Sequence, residues 1–390
     1  MTRELRGLAV MGAAVLVLGV AVATSLHAQV APPTVSAAPR ELAYDQGFLS
    51  AEVGWVTEYV IGDRSRSRLW LTTDGGAHWK RSELAGAPIY TRFFDADHGV
   101  VVTVSAAGGR NSAQMWSTPD GGGHWERAPL PEQPTAAYPQ AFFSDIDKGW
   151  ELRVGAKNEG FALYRTADQG ESWVRSRLTR RLPLPLSARM AFADADHGLI
   201  FVRPDNRPLR VESTVDGGQN WIDIQLPDPP VSVRASVLPT GSRLFPGGDG
   251  VFAVHVASAG AEDPVDFLYT TQDYGRTWSG PMRLPKPDTV QPASTFVSFP
   301  DPNAWWLAGG RQVFLTEDGG RSWSSLPAGI PGGLYVAGLS AVNRLTAWLL
   351  ATRTPLVGLS SAHPVVLNER PRLFLTLDAG RSWSERALPG

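Results

Sequence analysis

One eight-residue phrase, Ser/Thr-x-Asp-x-Gly-x-x-Trp, is written seven times along the chain. The first copy runs Thr72-Thr73-Asp74-Gly75-Gly76-Ala77-His78-Trp79. The others are centred on Asp120 and Trp125, Asp168 and Trp173, Asp216 and Trp221, Asp273 and Trp278, Asp318 and Trp323, and Asp378 and Trp383. Successive aspartates are 46, 48, 48, 57, 45 and 60 residues apart. A period in this range marks a propeller or a solenoid built from one supersecondary unit per repeat.

The text around each copy decides between the two. Alternating Val, Trp and Leu flank the phrase, and no long stretch keeps a 3.6-residue period, which excludes a helical solenoid. Each copy reads as a tight turn between two strands. Its Asp accepts backbone N–H groups, its Gly supplies a positive φ, its Thr adds a local hydrogen bond, and its Trp fills space between sheets. Four strand signals recur per repeat: 41–50, 54–61, 68–73 and 78–84 in the first, and 334–341, 346–353, 372–377 and 382–388 in the seventh. The expected fold is all-β, a seven-bladed propeller of four-stranded antiparallel blades over residues 41–390. Every blade has four strands of its own. Residues 30–40 pairing with the last blade would be an additional closing device.

These copies resemble Asp-box (BNR) repeats, found in sialidases, sortilin-type receptors, family 74 xyloglucanases and Ycf48-like photosystem II assembly factors. The seven-fold count and the phrase preceding each box are most similar to the Ycf48-like group. The resemblance implies the propeller fold. Because those families do different things on one scaffold, it leaves function to the site.

Ahead of the repeats, Arg3 and Arg6 precede an uncharged run from Gly7 to Leu26, and Leu26-His27-Ala28 follows. This is the pattern of an export signal over residues 1–28, with cleavage expected after Ala28. The uncharged run is also long enough for a membrane anchor. Either way the expected location is extracytoplasmic, periplasmic or secreted. Residues 29–40 read as a flexible Pro-containing linker. The chain has no cysteine, so neither a disulfide framework nor a lipid attachment site is expected. A net charge of −2 and the absence of long basic runs exclude a nucleic-acid surface.

A second phrase recurs between the first two strands of a repeat: Phe94-Asp95-Ala96-Asp97-His98-Gly99, with counterparts at 143–149, 192–198 and, degenerate, 299–304. Asp-x-Asp-x-Gly resembles the start of a calcium loop but lacks the later Gly and Glu that such a loop needs. An Asp-stabilised turn with a left-handed Gly is the expected reading, with no metal and no cofactor. The tryptophans outside the boxes, Trp55, Trp70, Trp116, Trp150, Trp305, Trp306 and Trp348, are expected at repeat-equivalent strand positions as packing between blades.

Length variation falls on one face, in the loops between second and third strands and in the connectors between blades. The largest insertion is 354–371. Insertions on one face mark a binding face. Arg180, Arg181, Arg353 and Arg370 fall there, with Arg203 and Arg207, and could grip a carboxylate-bearing partner. The sialidase pattern is not met, since Arg181-Leu182-Pro183 and Arg283-Leu284-Pro285 are Leu-Pro connectors that follow several boxes. One propeller also cannot form the two-propeller cleft of the xyloglucanases. No hydrolase or nucleotide-binding motif occurs. The expected function is that of an exported, non-enzymatic, monomeric propeller that binds another macromolecule, and the resemblance to the Ycf48-like group implies a role in assembling or stabilising a membrane or envelope complex. The alternatives are a glycan-binding or sialidase-like propeller and a plain structural surface protein.

Overall fold

The computed structural model describes residues 42–60, 67–107, 110–131, 140–154, 161–176, 178, 188–202, 209–230, 236–257, 264–287, 295–326, 330, 333–354, 365–367 and 369–389. The expected signal, anchor and linker over 1–40 lie outside them, as does any pairing made by residues 30–40. The repeats belong to one compact unit, Pro39–Gly390.

Seven antiparallel sheets follow one another, each built on four strands of its own repeat. The innermost strands are Leu42–Phe48, Ala87–Phe93, Gln140–Phe143, Ala188–Phe192, Ser236–Leu244, Thr295–Ser298 and Tyr335–Ala341. The outermost are short, from two residues at Lys80–Arg81 to five at Ser279–Arg283. Short outer strands limit the edge that each blade offers to other chains.

Sheet-to-sheet packing makes the core. Trp348 of blade seven stacks on Phe48 of blade one with centroids 3.9 Å apart, and Trp150 of blade three stacks on Phe192 of blade four at 3.6 Å. The ring therefore closes by the same kind of contact that joins its other blades. The Trp348 indole donates to Ser50 O at 3.0 Å, and Trp79 donates to Ala387 O at 2.9 Å. One further tie was not foreseen. Val365–Leu367, from the blade-seven insertion, pairs antiparallel with the inner strand of blade one, Leu42 opposite Leu367. Blade one thus has a fifth strand on its channel side, supplied by the last repeat.

Two expectations are corrected. Gly99, Gly149 and Gly198 are not left-handed. They are glycines because the preceding Phe ring lies over them: a Cβ on Gly149 would stand 2.2 Å from the Phe143 ring, and one on Gly198 would stand 2.0 Å from Phe192. Trp305 is not repeat-equivalent either. It occupies the position held by Gly54, Gly99, Gly149, Gly198 and Gly250 in blades one to five, whereas Trp55, Trp150, Trp306 and Trp348 do correspond to one another.

The Asp boxes are a common hydrogen-bonded unit. In all seven, the Thr hydroxyl donates to the Asp carboxylate at 2.7–3.0 Å. It also accepts the N–H of the box glycine, at 2.8–3.0 Å. The residue after Asp is left-handed in every copy, φ 57–70°, even where it is Gln169, Tyr274 or Ala379. Its N–H reaches a carbonyl in the turn between the first two strands of the same blade, as Gly121 does to Asp97 O at 2.7 Å. Both turns therefore share one face, as expected.

Candidate functional site

The four arginines singled out from the sequence are not brought together among the described residues. Arg180 and Arg181 lie outside them, with Arg203 and Arg207. Arg353 is exposed. Arg370 donates to Leu388 O at 3.0 Å and Pro389 O at 2.6 Å, tying down the C-terminal segment. The Asp-box residues Asp74, Asp120, Asp168, Asp216, Asp273, Asp318 and Asp378 spend their carboxylates on their own turns, Oδ1 accepting a backbone N–H and Oδ2 a side-chain donor four residues on. Among the described residues, no three His, Asp or Glu side chains group as a metal would require.

A different set of arginines lines the channel. Arg92 stands one residue before Phe93 at the end of the blade-two inner strand, and Arg243 stands one residue before Leu244 in blade five. Arg189 and Asp45 stand three residues before Phe192 and Phe48, in blades four and one. The two levels are separated by two strand residues, roughly 6–7 Å. Bulges at Pro88/Tyr90 and Pro239/Gly241 lie a few residues ahead of Arg92 and Arg243 and re-aim those strand ends.

Arg92 lies over the Phe142 ring, 4.8 Å from its centroid, and Arg243 over Phe245 at 5.6 Å. Neither has a carboxylate partner among the described residues. This sets them apart from the outer-strand arginines: Arg210 is held by Asp223 at 2.5 Å, and Arg372 by Glu385. Desolvation pushes the Arg189 guanidinium below its ordinary pKa, partly offset by Asp45. Desolvation, then the charge of Arg92, does the same to Arg243. Water still reaches Arg243, yet the surrounding channel wall displaces enough solvent to matter. Both groups stay cationic at neutral pH.

Two cavities open beside these charges. One of about 300 Å³ is lined by Arg189, Thr240, Ser242, Arg243 and Ser298, and one of about 190 Å³ by Tyr44, Asp45, Gln46 and Gly338. Thr240 and Val297 border both. Both polar atoms of the Gln46 amide are buried there without a hydrogen bond. Such groups are rare in folded proteins and call for an explanation. The channel thus offers guanidinium and amide groups to an anionic or hydrogen-bonding guest. Its sequence signal was available: an arginine within three residues of the Phe or Leu that ends the strand nearest the axis.

Fold and repeats define a seven-bladed Asp-box propeller with an arginine-bearing channel. Neither a protein-family model nor a curated sequence matches the chain. Among solved structures it is similar to Ycf48 bound to a D1 peptide, with 16% identity over 82% of this chain and 94% of that one, at a TM-score of 0.48. It is similar to Ycf48 from Cyanidioschyzon merolae at 14% identity over 81% and 94%, with a TM-score of 0.49. A PL25 ulvan lyase bound to a GlcA–Rha3S saccharide shares 11% identity over 90% and 97%, with a TM-score of 0.54. At these identities the likeness is one of fold.

Proposed function

We propose that this is an exported, non-enzymatic propeller that holds an anionic group of a protein partner in its central channel, and so assists assembly or stability of an envelope or membrane complex. The observation that carries the reading is the placement of Arg92 and Arg243 at equivalent ends of two inner strands, each over an aromatic ring and neither with a carboxylate partner among the described residues. An incoming carboxylate gains charge-assisted hydrogen bonds. Export is supported by Arg3, Arg6 and the uncharged run after them.

The test is co-purification from the host envelope fraction, with wild type beside Arg92→Ala/Arg243→Ala and Arg353→Ala/Arg370→Ala. Retention of a protein complex by wild type and by the second variant, but not the first, is the expected result. Retention by all three would overturn the channel reading. Loss only in the Arg353/Arg370 variant would move the site to the rim.

A further inference from the structure

The turn after the inner strand loses its side-chain cap in blade five, and a cleft opens there. In blades two, three and four, the turn after the inner strand is capped by Asp95, Asp145 and Asp194, each accepting two backbone N–H groups. The side chains of His98 and His197, three residues on, hydrogen-bond Asp95 and Asp194, and the Lys148 ammonium lies 4.0 Å from Asp145. Blade five has Pro246 at the capping position and Asp249 where the His or Lys belongs. Asp249 therefore keeps a carboxylate that the turn does not use, with no side-chain partner among the described residues. Blade six has Ala304 at the same position, so nothing projects from its side. Trp305 follows, 2% exposed, its ring at the floor beside Gly319 and Gly320.

The result is a cleft of about 360 Å³ between blades five and six on the Asp-box face, within the range of small-molecule sites. Asp249, Gln272 and Asn303 present one carboxylate and two amides to it, none of them partnered among the described residues. The Thr270 and Ser279 hydroxyls and the Arg321 guanidinium add to the polar wall. Asp318 also lines it, but its carboxylate is taken up by Thr316 and Ser322, so the groups left to a ligand mix donors and acceptors and carry one charge of each sign. That fits a neutral, hydroxyl-rich ligand, whose neighbouring hydroxyls can donate to a carboxylate and accept from amides and Arg. We infer that this cleft is a saccharide site, separate from the channel, taking a neutral sugar unit.

Saturation-transfer NMR and calorimetry on the whole protein, with cellobiose, maltose and N,N′-diacetylchitobiose, test it. L-lysine and L-glutamate serve as charged controls. At least one disaccharide is expected to bind. Asp249→Ala and Asn303→Ala should each weaken it at least tenfold, and Arg92→Ala/Arg243→Ala should leave it unchanged. Asp249→Asn, which keeps the shape of the side chain, guards against misfolding and should retain the wild-type thermal midpoint while losing affinity. Binding of no disaccharide, binding insensitive to Asp249, or binding of lysine alone would each overturn the inference. The first leaves the channel reading untouched, because the cleft and the two channel cavities share no lining residue.

Discussion

Gly149 and Phe143 show how tightly single side chains are specified. The ring of Phe143 is wholly buried and occupies the space that any side chain at 149 would need. Ala is ordinarily the better residue in a strand, because Gly loses more backbone entropy on folding. Here the sign reverses: Gly149→Ala should cost about 1–3 kcal/mol through overpacking. Phe143→Leu in the same chain should recover part of that, so the double variant is less destabilised than the sum of the singles. Strict additivity in denaturant unfolding would show that the ring is not the cause. The channel arginines follow another logic: Arg92 and Arg243 rest on the Phe142 and Phe245 rings, but neither guanidinium meets a carboxylate partner among the described residues.

At the level of the element, the Asp box behaves as a repeated electrostatic device. Hydrogen bonds from residues four further on, with the box Thr, hold Asp74, Asp318 and Asp378 at a pKa of about 2. A depressed carboxylate adds stability above its unfolded pKa of 3.8 and loses it as pH falls through about 2. Buried Glu151 works the other way. Burial raises its pKa from 4.5 to about 7 despite Arg153 at 2.7 Å, so its contribution declines as pH rises across that window. Stability measured by urea unfolding should fall steeply below about pH 4 and decline gently from about 4.5 to 7. Glu151→Gln should abolish the gentle decline while lowering stability overall, because Arg153 is left buried without its counter-charge. An unchanged slope in that variant would remove Glu151 from the account. The boxes were legible in the sequence because each rests on hydrogen bonds within eight residues, and their strands and shared face because those contacts stay within one repeat. The reason for Gly149 was not, since it depends on which way Phe143 turns. Nor was the Val365–Leu367 pairing with blade one, a contact between residues more than 300 positions apart.

The seven repeats form a ring whose blades are held by apolar stacking and whose axis carries charge. Sequence periodicity defines the ring but not its axis, because the axis is assembled from one or two residues of each inner strand. That is why reasoning from loop length favoured Arg180, Arg181, Arg353 and Arg370, while the structure gathers Arg92, Arg189 and Arg243. Arg92 and Arg243 have no carboxylate partner among the described residues, and a ligand that supplies one stabilises the folded state by mass action. The direct measurement is the thermal midpoint of wild type and of Arg92→Ala/Arg243→Ala as citrate is raised at constant ionic strength, with chloride as the control. The channel account predicts that citrate raises the wild-type midpoint well above the chloride control and leaves the double variant on that control. Equal citrate shifts in the two proteins would contradict it.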